Sequence, residues 1–127
     1  MTVTVAAVPT NPNTTHSAKL ITWPAVLEGN LGSAVELVAH DIKTVQLTGT
    51  LGSGGSLQVE GSNDGTNWYI LNTDVSGTKT NLIMASGQLA AGLYTIIENP
   101  YYIRVNSTAG DGSTTFTPIL CAIRRYR

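Results

Sequence analysis

Thr44-Val45-Gln46-Leu47-Thr48-Gly49-Thr50-Leu51, followed after Gly52-Ser53-Gly54-Gly55 by Ser56-Leu57-Gln58-Val59-Glu60-Gly61, decides the fold class. Val45 and Leu47 alternate with Thr44, Gln46 and Thr48, and Leu57 and Val59 alternate with Ser56, Gln58 and Glu60. Successive side chains on a strand point to opposite faces, so each stretch reads as a strand with one buried and one wet face. The glycines between them supply residues able to take positive φ, and their spacing predicts a hairpin over residues 44–61.

The same pattern repeats outward from this pair. Strands are expected over 20–26, 34–39, 68–71, 81–85, 93–98, 101–107 and 115–124, with turns at Asn63-Asp64-Gly65-Thr66 and Ala109-Gly110-Asp111-Gly112. No apolar run holds a helical period over three turns, and only Ser86 to Gly92 has room for a single helical turn. The expected fold is all-β, a β-sandwich or jelly-roll of about eight antiparallel strands. Trp68, placed after a turn at the start of a strand, is expected to cap its core. Residues 1–18, with Pro9 and Pro12, lack the apolar content to fold alone and read as an extended N-terminal arm; residues 19–127 form the sandwich domain.

Composition bounds the function. A chain of 127 residues with 42% hydrophobic side chains suits one domain around one core. The formal net charge of -1 provides no field to attract nucleic acid or an anionic membrane. The first sixteen residues have no basic start and no long apolar block, so neither a signal peptide nor a membrane anchor is expected. The one cysteine, Cys121, lies in the run Ile119-Leu120-Cys121-Ala122-Ile123 and reads as a buried, inert thiol with no disulfide partner.

Catalytic, cofactor and metal chemistry all lack a residue pattern. His16 and His40 have no second histidine or cysteine at ligand spacing, and His40-Asp41 on a strand would point to opposite faces. Gly52 to Gly55 precede a strand, whereas a phosphate cradle needs a helix N-terminus there. Glu60, Asp64 and Asp74 lack the dense alternating oxygens of a calcium loop. A non-enzymatic protein without cofactor or metal is expected. Trp23, Trp68, Tyr69, Tyr94, Tyr101, Tyr102 and Tyr126 suit core packing and strand edges, or stacking on sugar rings. Arg124, Arg125 and Arg127 around Tyr126 read as a solvated end or as a docking tail for an acidic surface.

The stretches Lys43 to Leu51 and Leu57 to Trp68, then Tyr101-Tyr102-Ile103-Arg104-Val105, Gly110-Asp111-Gly112 and the closing strand ending in Arg124-Arg125, resemble small virion proteins of tailed bacteriophages, of the head decoration or cement type. The resemblance spans residues 20–125. It implies a subunit that sits on the outer capsid surface and stabilises it, assembled in the host cytoplasm. The implied partners are the major capsid protein and copies of itself, as a dimer or trimer, with no catalytic residues. Under it, Val3, Val5, Val8, Pro9 and Pro12 of the arm, with Arg124, Arg125 and Arg127, are the expected contacts. The segment Gly61-Ser62-Asn63-Asp64-Gly65-Thr66-Asn67-Trp68 also resembles discoidin-like and other carbohydrate-binding sandwiches. That resemblance implies a sugar-binding module on a tail or fibre, in which Trp68, Tyr101 or Tyr102 stacks on a glycan.

Overall fold

A computed structural model describes residues 3–10, 18–37, 40 and 42–124, and at residue 10 the backbone only. The fold is all-β, and no helix occurs among the described residues. Two sheets enclose the core. The larger has seven strands, ordered Thr4–Val5, Leu31–Gly32, Tyr102–Ala109, Ser56–Ser62 and Tyr69–Ile70, with Val35–Glu36 also pairing Tyr102–Ala109 and Ile83–Ala85 also pairing Ser56–Ser62. The smaller has five, ordered Gly92–Thr95, Ile42–Leu47, Ile119–Ile123, Ala18–Thr22 and Val8–Thr10. A short sheet of Val26–Leu27, Thr115–Phe116 and Gly49–Thr50 and a separate hairpin, Asn72–Val75 with Thr78–Asn81, complete the fold.

Period-two alternation builds the core as expected. Leu57, Val59, Ile103 and Val105 from the larger sheet and Ile21, Val45, Leu47, Leu120 and Ala122 from the smaller all belong to one buried cluster. At about 25 cal/mol per Å² of apolar area, burial of this kind is the main favourable term. Trp23 and Phe116 are its largest apolar members, both fully buried. The indole Nε1–H of Trp23 donates to Ser33 O at 2.9 Å, so its one polar atom is satisfied inside the core.

The expected hairpin over residues 44–61 does not form. Ile42–Leu47 pairs with Gly92–Thr95 and Ile119–Ile123 in the smaller sheet, while Ser56–Ser62 pairs with Tyr102–Ala109 in the larger. Both strands bury one face, but against opposite walls of the same core. The chain passes between the walls at Gly49, whose φ of 140° and close approach to Thr115 O leave no space for a Cβ. Gly52 to Gly55 serve as a pinned loop: Asp111 accepts from Ser53 N at 3.0 Å, and Thr114 Oγ1 donates to Leu51 O at 2.7 Å.

The expected arm is extended, but its described part runs along its own domain. Thr4–Val5 pairs in parallel with Leu31–Gly32, and Val8–Thr10 pairs antiparallel with Ala18–Thr22. Ala7 N donates to Ser33 Oγ at 2.8 Å, and Val5 and Ala7 pack against the core. Residues 3–10 thus join one sheet to the other. Trp68 does not cap the core: it is half-buried outside the core cluster, and Trp23 has the interior role. The expected strand over 34–39 is limited among the described residues to Val35–Glu36, and that over 115–124 divides at Thr117-Pro118 into two strands in different sheets.

Candidate functional site

The strand registers of the smaller sheet place its outward side chains in rows. Leu93, Gln46, Ile119, Thr22 and Val8 form one row across all five strands. Thr95, Thr44, Cys121 and Leu20 form the next, and Ile42, Ile123 and Ala18 a third. None of these side chains is charged. Leu93 is 69% exposed, Val8 46% and Ile123 41%, and Ile97, just beyond the edge strand, is 46% exposed. Ile119, Cys121, Thr22, Thr44 and Leu20 at the centre are half-buried, and Gln46 is exposed. Five strands about 4.8 Å apart and three rows of side chains cover about 400 Å², a face that is uncharged rather than wholly apolar, because Gln46, Thr22, Thr44 and Thr95 lie among its aliphatic side chains.

Cys121 lies on this face and is half-buried, which corrects its expected place in the core. Leu120 and Ala122 point inward instead. The five-residue apolar run is therefore a strand apolar on both sides, one side facing the core and the other facing out.

The larger sheet presents the opposite character. Its outward cross-strand pairs are Tyr102 with Ser62, Arg104 with Glu60 and Asn106 with Gln58. Arg104 Nε donates to Glu60 Oε1 at 2.8 Å, with side chains only 19% and 7% exposed. Gln58 Nε2 donates to Glu60 Oε2, and Asn106 Nδ2 donates to the same oxygen at 3.2 Å. The Arg104 guanidinium also stacks on Trp68, 4.0 Å from the ring centroid. One indole face is thereby occupied. Tyr101 and Tyr102 pack edge to face, and Tyr101 OH donates to Glu36 Oε1 at 2.6 Å, which raises its pKa above the usual tyrosine value.

At one end of this sheet lies an open recess of about 430 Å³, lined by Asn63, Asp64, Asn67, Tyr69, Glu98 and Asn99 among others. Its rim is the expected Asn63–Thr66 turn. Asp64 Oδ1 accepts from Thr66 N and Asn67 N, both at 2.8 Å, and Oδ2 accepts from Asn67 Nδ2 at 2.8 Å. Ser62 Oγ donates to Asp64 Oδ1 at 2.8 Å and accepts from Gly65 N at 2.9 Å. These donors hold the Asp64 carboxyl well below the ordinary carboxylate range. Tyr69, 71% exposed, stands beside this turn. Sequence reasoning singled out its neighbour Trp68, because the sequence does not show which of two adjacent aromatics faces outward.

The remaining expected contacts are dispersed. Val3 is 54% exposed and Pro9 is exposed, Val5 is half-buried, Val8 lies in the edge strand of the uncharged face, and Arg124 is exposed just past the closing strand, with its charge near His40. Pro12, Arg125, Arg127, His16 and Asp41 lie outside the described residues. Glu60 is engaged by Arg104 and Asp64 by its own turn, and Asp74 is exposed on the separate hairpin.

His40 sits at one end of the sandwich. Burial first, then the positive charges of Lys19, Lys43 and Arg124, lower its pKa below 6.5. The unfolded chain therefore binds this proton more readily than the folded one, and stability is lost as pH falls through 6.5. Denaturant midpoints at pH 8 and pH 5.5 should show this loss, and His40→Gln should reduce it.

No protein-family model matches this chain, and no curated protein matches it. Among solved structures, the crystal structure of SPBc2 prophage-derived protein YomS is similar, with a TM-score of 0.63 and 7% identity over 84% of this chain and 94% of that one. At this identity the likeness concerns the fold.

Proposed function

We propose that this chain is a non-enzymatic structural protein of a bacteriophage particle, which binds the outer capsid surface and reinforces it. The observation that carries the reading is the uncharged outward face of the five-stranded sheet. A face of about 400 Å² is half the ~800 Å² per partner of a stable stand-alone interface. Such a contact is weak singly and strong when repeated on a lattice, because linked copies multiply their affinities through effective concentration. The major capsid protein is the proposed partner of this face, with copies of the chain, as dimer or trimer, bound side by side. Val8, in its edge strand, is the expected contact that best suits this arrangement. The fold shared with a prophage-derived protein, and the sequence resemblance to head decoration proteins, support the same reading.

The test is co-sedimentation with capsids of the phage that carries the gene, prepared without this protein. Saturable binding is expected. The double variant Leu93→Asp, Ile123→Asp should remain folded, since both side chains are exposed, and should bind at least about tenfold more weakly, because each buried charge without a partner costs more than 1 kcal/mol. Failure of the folded parent protein to sediment with capsids at any subunit ratio would count against the proposal.

A further inference from the structure

We infer that the recess beside Tyr69 is a binding site for a neutral pyranose sugar. Three asparagine side chains line it, and each has one end of its amide already fixed. Asn63 Oδ1 accepts from Tyr101 N at 2.9 Å, Asn99 Oδ1 accepts from Lys43 Nζ, and Asn67 Nδ2 donates to Asp64 Oδ2 at 2.8 Å. These bonds set the orientation of every amide and leave the Nδ2 groups of Asn63 and Asn99 and Oδ1 of Asn67 without a partner among the described residues. The recess therefore offers two held donors and one held acceptor. Sugar hydroxyls, which donate and accept at once, match such a set, and prior orientation lowers the entropy lost on binding.

Tyr69 supplies the other half of the recognition. Its ring is 71% exposed on the strand Tyr69–Ile70, with no hydrogen bond to it among the described residues, and offers an aromatic surface to the apolar face of a pyranose. A volume of about 430 Å³ suits a small ligand. The carboxylates present, Asp64 and Glu98, are engaged: Asp64 holds its turn, and Glu98 accepts from Asn72 N at 2.8 Å and Asn72 Nδ2 at 2.7 Å. Glu98 lies 4.0 Å from Lys79 Nζ, whereas Asp64 has no counter-ion among the described residues, and its negative charge disfavours phosphates, uronates and sialylated sugars and leaves neutral sugars as the class. The recess combines the Gly61–Leu71 edge of the larger sheet with Glu98, Asn99 and Pro100 from the segment that follows Gly92–Thr95.

The experiment is a titration of the intact ¹⁵N-labelled protein with methyl glycosides of glucose, galactose, mannose, N-acetylglucosamine and N-acetylgalactosamine, read by NMR at the asparagine side-chain amides. At least one glycoside should shift the Asn63, Asn67 and Asn99 amides saturably. Tyr69→Ala should weaken that binding about tenfold, and Tyr69→Phe, which keeps the ring, should retain it. Absence of saturable shifts across the panel, or equal binding by the Tyr69→Ala protein, would overturn the inference. Equal affinity for methyl glucuronide would overturn the assignment to neutral sugars.

Discussion

Trp23→Ala should destabilise the domain by about 4 kcal/mol, the upper part of the range for truncating a large buried ring. The indole is fully buried, and the backbone beside it has given way to admit it: a Cβ on Gly32 would lie 2.8 Å from Trp23 Cδ1 and 2.5 Å from Val105 Cγ2. Truncation removes the contacts of the ring and leaves Ser33 O without the indole donor. Ser33 also takes the Ala7 N–H on its hydroxyl, so this residue ties the N-terminal strands to the core beneath them. Urea unfolding should report the loss. Trp23→Phe, which keeps most of the volume but not the N–H, should fall between the two. A loss below about 1 kcal/mol would mean that the ring is not the centre of the packing.

Arg104→Met is the second large effect, at about 3 kcal/mol, and its origin is electrostatic. Glu60 would keep the amide donors of Gln58 and Asn106 but lose the cation, and its side chain is only 7% exposed. A nearly buried carboxylate without its counter-ion is penalised far more than the intact pair is favoured, because desolvation of the charge remains while the attraction is lost. The stacking on Trp68 disappears in the same variant. The double variant Glu60→Leu, Arg104→Met should regain most of the lost stability, since an apolar pair leaves no charge behind. Chemical denaturation of the two single variants and the double variant measures the coupling directly.

The sequence made the burial pattern legible and left the pairing hidden. Val45 and Leu47 point inward, and so do Leu57 and Val59, as their alternation requires. Alternation specifies a buried face, however, and a sandwich has two walls facing one core, so strands from either wall carry the same period. The glycines at 52–55 then suggested a hairpin where the chain in fact changes sheets at Gly49. A real two-residue hairpin lies at Ser76-Gly77, both with positive φ, joining Asn72–Val75 to Thr78–Asn81. Its strands are mostly polar, so apolar alternation does not mark them, although the Ser-Gly pair is a turn signal in its own right.

The candidate surfaces were harder to find, for a related reason. An apolar run such as Ile119 to Ile123 suggests a strand buried on both sides, and only the register of its neighbours shows that one side is open. The rows of uncharged side chains on the smaller sheet come from five separate segments of sequence, and no single segment displays them. The Asn63–Thr66 turn was legible through Asp64-Gly65, whereas the recess it borders also needs Glu98 and Asn99 from a distant loop. Trp68 drew attention as a stacking ring, yet the cation that covers it comes from Arg104, thirty-six residues on.

One face of the smaller sheet without charge and one face of the larger sheet with a paired ion network give the domain two unlike sides. The uncharged side is the proposed contact with the shell. Electron cryo-microscopy of capsids re-bound with the purified protein tests it most directly. The predicted result is density in which Leu93, Ile119 and Val8 face the capsid surface while the Glu60–Arg104 pair points away from it; a protein attached through the Glu60–Arg104 face, with the smaller sheet open to solvent, would contradict it.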